Sequence, residues 1–278
     1  MKLQAVLPLV TYPDPNSDKV AVNAVAVARQ LAASLHAVAV NVDIPPVSSA
    51  LSRVLLDVPA LAREAERLSH ERGRHLLAAV EEQAGKAGIA LTTEEMAAAP
   101  AMLGEGVARA ARYFDFALIG WEGRNPGSRI IAEAVVFGSG RPTILMPDLG
   151  DFPVLDHVAI AWDGSRVAAR AAADARPLLD KASKISVLTV QDEKPLAESG
   201  IGERFAERLR KIGLPAEAHG VSAKGHPIGV ALQDHALKAG ANLLVMGGYG
   251  HSRVRDFVLG GATQGVLDEL RLPVLLSH

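Results

Sequence analysis

The chain has 278 residues, enough for two domains or one large one around a full hydrophobic core. With 29 basic and 31 acidic residues the formal net charge is −2, so no excess points to nucleic acid or to an anionic membrane. The lack of cysteine excludes disulfides and thiolate metal sites and suits a reducing compartment.

The opening "MKLQAVLPLV" pairs a lysine with an apolar run. The run is too short for a signal peptide, and "TYPDPNSD" follows without a cleavage pattern, so a first β-strand is expected. A second strand follows in "HAVAVNVD". Residues 44–85 then form an extra segment whose later part has long helical periodicity. It reads as a long helix behind an entry loop, with a lid or partner surface as the functional alternative. A helix in "MLGEGVARAARYF", a strand in "DFALIGWEG", a helix in "RNPGSRIIAEAVVF" and a strand in "RPTILMP" complete the first half. The seam from Met146 to Asp156, "MPDLGDFPVLD", is rich in Pro, Gly and Asp, as a linker is.

The same pieces then recur in the same order. "DHVAIAWD" matches the first strand, "KISVLTVQD" the second, "NLLVMGGYG" matches "DFALIGWEG", and "LPVLLSH" matches "RPTILMP". Each half reads as alternating strands and helices, with one more short strand or loop before the helix that precedes Gly-x-x-Gly. The expected class is α/β, with two tandem doubly wound parallel-sheet domains over residues 1–149 and 154–278. The two closing strands would be apolar sheet edges, which invite pairing. No apolar run approaches the roughly 20 residues of a membrane helix, and a cytoplasmic protein is expected.

The most informative stretch is "GGYGHSRVRDFVLGGATQGVL", Gly247 to Leu267. In open α/β sheets ligands sit beyond the carboxyl ends of the strands, where strand order reverses. Gly247, Gly248 and Gly250 leave such a strand end, where the lack of a Cβ lets backbone N–H groups approach a ligand. Gly260 and Gly261 open the next helix, whose first N–H groups are unpaired and favour an anion. His251, Arg253 and Arg255 lie between. The set describes a phosphate cradle, although any single glycine is accounted for by a turn. It is neither a P-loop nor a dinucleotide fingerprint.

Gly247-x-x-Gly250, nine residues, then Gly260 resembles the nucleotide-binding signature of the universal stress protein family, and the resemblance extends over both halves. It implies two universal stress protein-like domains of adenine-nucleotide alpha-hydrolase-like fold in a pseudo-two-fold arrangement. It further implies that ATP, with or without Mg2+, is held in the second half. Gly247, Gly250, Gly260, Gly261, Ala262 and Thr263 would hold phosphate and ribose, and Asp163 and Val190 would bracket the adenosine. For Asp163 the structural alternative is an N-cap of the following helix. The family's Ser/Thr after the last glycine is Gly261 here, which removes a hydroxyl contact unless Thr263 supplies one.

The first half departs further. Val10 stands at the Asp position, the bulky Trp121 sits inside Gly120-x-x-Gly123 as in an occluded or altered pocket, and Arg129 and Ile130 fall where the last Gly-Ser/Thr belongs. Gly127 and Ser128 could substitute only if the helix starts earlier. This half is expected to be a degenerate site, leaving one competent site per chain.

No other constellation carries chemistry. His70 and His75 miss the spacing of two ligands on one helix face, His219, His226 and His235 form no cluster, and the Glu81–Glu82 and Glu94–Glu95 pairs read as solvated surface. The resemblance implies a stress-response regulatory protein with an adenine nucleotide and an unidentified protein partner. As a monomer it would pair its own halves; a homodimer is the alternative. A slow ATPase or autophosphorylating protein and a nucleotide-free scaffold are the other readings.

Overall fold

The structure, a computed structural model, describes residues 2–46, 57–123, 125–149, 152–192, 199–248 and 261–278. The chain divides into two compact units, Met1–Ser139 and Gly140–His278.

In the first unit the strands are β1 (Gln4–Val10), β2 (Ser34–Val42), β3 (Leu91–Ala98) and β4 (Phe116–Trp121). They form a parallel sheet in the order β3-β2-β1-β4. The helices are α1 (Lys19–Leu31), α2 (Val58–Ala87), α3 (Leu103–Ala111) and α4 (Pro126–Gly138), and they pack as pairs, α1 with α2 and α3 with α4. Every residue of β4 is buried, as a central strand requires, and its unbroken apolar run reflects that. At the sheet edge β3 is largely exposed, and its Glu94 and Glu95 blunt that edge with charge.

The extra segment is a 30-residue helix, α2, longer than any in the second unit. Asp57 caps its start by accepting the Ala60 N–H at 3.0 Å, and Gly88 ends it at φ 65°. Gly73 lets it approach β2, since a Cβ there would stand 2.6 Å from Asn41 Oδ1. The entry loop expected ahead of the helix lies largely outside the described residues.

In the second unit the strands run β5 (Thr143–Pro147), β6 (His157–Ala161), β7 (Lys184–Val190), β8 (Ala216–Val221), β9 (Leu243–Gly247) and β10 (Val274–Ser277). Their order is β5-β10-β9-β6-β7-β8. The helices are α5 (Arg166–Asp174), α6 (Arg176–Leu179), α7 (Ile201–Lys211), α8 (Ile228–Lys238) and α9 (Gly261–Asp268). All pairings are parallel except β5 with β10, where Leu145, Ile144 and Thr143 face Val274, Leu275 and Leu276 in antiparallel register. The two apolar closing strands thus cover each other, as their edge character predicts. The additional strand or loop of each repeat proves to be a strand in both cases, β3 and β8.

Strand order reverses between β1 and β4 in the first unit, and between β6 and β9 in the second. Those two points are where a doubly wound sheet opens a crevice.

Candidate functional site

In the second unit β6 ends at Ala161 and turns into α5 through four residues. The Trp162 N–H donates to the Leu188 carbonyl at 2.8 Å, which prolongs the strand by one residue. Its indole lies flat on Phe205 of α7, with centroids 3.8 Å apart and planes within 4°. Asp163 follows and is exposed. Its Oδ1 accepts the Ser165 N–H at 2.9 Å in a local turn, with Gly164 at φ 75°. Ser165 Oγ in turn accepts the Ala168 N–H at 3.2 Å and is the cap of α5. The capping role open to Asp163 is therefore taken by Ser165, and the Asp163 carboxylate stands outside the helix at the carboxyl end of β6.

Val190 closes β7 one strand away, half-buried and paired with Val221 of β8. Asp192, two residues further on, is a neighbour that sequence reasoning missed. Its carboxylate accepts Ser222 Oγ–H at 2.6 Å and the N–H groups of Ala223 at 2.8 Å and Lys224 at 3.0 Å. The Ser222 hydroxyl first, then these backbone donors, hold its pKa down to about 2. Asp192 thus clamps the loop between β8 and α8, where Lys224 and Gly225 take φ of 50° and 79°. An aspartate just past a strand's carboxyl end was the available clue; its partners lie 30 to 32 residues away.

Gly247 ends β9 on the other side of the reversal. The requirement there is close packing: a Cβ would come within 2.6 Å of the Val167 carbonyl carbon and 2.7 Å of the Ala168 nitrogen, in the first turn of α5. Gly250 and Gly260 lie outside the described residues, as do His251, Arg253 and Arg255. Gly261 is the exposed first residue of α9, and a Cβ there would meet nothing within 4 Å among the described residues. Ala262 is half-buried, and Thr263 is buried at 2% exposure. Asp163, Val190, Gly247 and the start of α9 belong to one unit, but they come from segments up to a hundred residues apart. Among the described residues no group of three or more His, Cys, Asp or Glu side chains could hold a metal ion, and no helix is long and apolar enough to cross a membrane.

The crevice of the first unit is built differently. Asn16 closes the loop after β1: its Oδ1 accepts the Val10 N–H at 2.7 Å and its N–H donates to the Val10 carbonyl at 2.9 Å. Gly120 makes room for it, since a Cβ there would stand 2.6 Å from Val20 Cγ2 and 3.3 Å from Asn16 Nδ2. Helix α4 does start early, at Pro126, so Gly127 and Ser128 fall in its first turn. Their N–H groups are already taken, donating to the Asn125 cap at 2.9 and 3.2 Å. Asp14 is exposed, and its backbone carbonyl, rather than its carboxylate, reaches the cluster by accepting Asn125 Nδ2–H at 2.9 Å. Trp121 is buried at the end of β4.

Residues 155–278 match the sequence profile of the Universal stress protein family. The second unit carries a universal stress protein domain. Universal stress protein Slr1230 of Synechocystis sp. is 30% identical over 149 residues, 51% of this chain and 49% of that protein, so the match spans about half of that relative's length. A universal stress protein from Archaeoglobus fulgidus superposes with a TM-score of 0.70 at 19% identity, covering 98% of this chain and 95% of that one. A functionally unknown protein from Pseudomonas aeruginosa PAO1 gives a TM-score of 0.56 at 16% identity, covering 99% and 92%. These two likenesses establish the fold, and they extend it over both units.

Proposed function

We propose that the universal stress protein domain of the second unit binds an adenine nucleotide, with ATP as the ligand, and that the protein is a stress-response regulator. The observation that carries this reading is the Asp163 carboxylate. It is exposed at the strand-order reversal, and its hydrogen bond among the described residues is local. A carboxylate in that position suits the donor groups of an adenosine. Val190 would flank the same adenosine. Gly247, Gly250, Gly260 and Gly261, with the N–H groups of Ala262 and Thr263, would face the phosphates, and Mg2+ would enter on the phosphates themselves. Asp192 holds the neighbouring loop so that the crevice keeps its wall.

On this reading the nucleotide acts by population shift, favouring the conformation of the protein that it binds better and so biasing what a protein partner meets. The test is calorimetric titration of nucleotide-free protein with ATP, AMP and GTP. One adenine nucleotide bound per chain, with GTP weaker, supports the proposal; no heat and no displacement with any of the three rejects it.

A further inference from the structure

The first unit's crevice holds an anion of its own. Glu122 leaves the carboxyl end of β4 at the strand-order reversal, and its half-buried carboxylate is met by three donors. Oε1 accepts the Ser17 N–H at 2.7 Å, two residues before α1. Oε2 accepts Asn125 Nδ2–H at 3.1 Å and lies 3.4 Å from Asn16 Nδ2. Asn16 and Asn125 are themselves buried, at 4% and 7% exposure. The carboxylate also sits by the first turns of both α1 and α4, whose dipoles favour negative charge. Donors converging on an oxyanion between helix starts at a sheet's reversal point are the features by which this architecture receives an anionic ligand.

We propose that Glu122 is a tethered surrogate for that ligand: its carboxylate occupies the first unit's crevice permanently, ties the loop after β1 to the Asn125 cap of α4 without any bound molecule, and keeps free oxyanions out. The crevice is then not an eroded site but a self-occupied one. Removing the carboxylate would expose a small oxyanion site lined by Ser17 N–H, Asn16 and Asn125.

The test is chemical rescue in the full-length chain, with acetate and inorganic phosphate as probes. Charge-assisted hydrogen bonds are the strong ones, so Glu122→Ala is expected to lower the Tm by on the order of 5 °C. Acetate or phosphate at constant ionic strength should restore much of that loss while moving the parent protein less. In Glu122→Gln the amide oxygen can still accept from Ser17, but its NH2 group faces the amide donors of Asn16 and Asn125. That variant should lose stability and resist rescue, because the new side chain still fills the space. A Glu122→Ala protein as stable as the parent, or one whose gain from acetate and phosphate matches the parent's, overturns the proposal. If Glu122→Ala does not fold, Glu122→Gln decides: a Tm equal to the parent's would overturn the proposal, because an NH2 group cannot accept from Asn16 and Asn125 as the carboxylate does. None of these outcomes depends on nucleotide binding by the second unit.

Discussion

Gly229 of α8 lies directly against the backbone of α9, where a Cβ would stand 2.5 Å from the Ala262 carbonyl oxygen. The same Cβ would be 2.5 Å from the Val266 nitrogen and 2.7 Å from the Gly265 carbonyl carbon, so the two helices touch backbone to backbone. The contact fixes how closely α9 lies on α8, and with it the position of the N–H groups proposed for phosphate. Gly229→Ala should therefore cost about 1–3 kcal/mol of stability through overpacking and weaken ATP binding as α9 is displaced. Denaturant unfolding and calorimetry on the same sample check both effects. A variant with lowered stability and unchanged affinity would separate α9 from the ligand.

Gly261 offers the opposite case. Among the described residues nothing lies within 4 Å of the position of its missing Cβ, so Gly261→Ser meets no clash with them. The new hydroxyl restores the residue type that the family signature carries there and adds a donor beside the proposed phosphates. Affinity for ATP should rise by about tenfold or more, the effect of one hydrogen bond to a charged group, with little change in fold stability. A decrease in affinity, measured by titration, would contradict the placement of Gly261 beside phosphate.

Asp163 can be divided into its two properties. Asp163→Asn keeps the turn to the Ser165 N–H but removes the charge, whereas Asp163→Ala removes both. Both variants should weaken ATP binding by about tenfold or more if the carboxylate accepts from the ligand. Because the side chain is exposed, stability should change by less than about 1 kcal/mol. Equal affinity in all three proteins would refute the role.

His157 makes stability depend on pH. It is 8% exposed, and its Nε2 lies 2.9 Å from Ser186 Oγ. Burial first, and then Lys184, hold its imidazole below the ordinary value of about 6.5, against the opposing pull of the Gly240 backbone and Asp156. Below that pH the unfolded chain therefore binds a proton that the folded chain does not. The contribution is full above about 6.5 and falls as pH drops toward the lowered folded value, with a slope of at most about 1.4 kcal/mol per pH unit. Urea unfolding at pH 7.5 and 5.5 should show a larger acid loss in the parent than in His157→Gln. The same loss in both would assign the dependence to other groups.

What lay within reach of sequence was whatever repeats or alternates over short stretches. The matched strands, the duplicated order and the turn-rich seam follow from local periodicity, because a buried strand or an amphipathic helix must carry its pattern in consecutive residues. Gly247 could be placed at a strand end for the same reason. Its function as room for Val167 and Ala168 could not be read, since those residues reach it through the fold of the sheet.

Most of the remainder depended on residues brought together from far apart. That Ser165 rather than Asp163 caps α5 was decided by local geometry that both side chains could have satisfied. The clamp of Asp192 on the Ser222–Lys224 loop and the backbone contact of Gly229 with α9 arise only when crossover connections close. Glu122 is the clearest case. In sequence it is one acidic residue between two glycines; in the fold it receives donors from Ser17 and Asn16 more than a hundred positions away. The residue order determined which elements form and that they form twice. Only tertiary closure decided which crevice already contains an anion, because a charge is matched by the groups that surround it in space rather than by its neighbours along the chain.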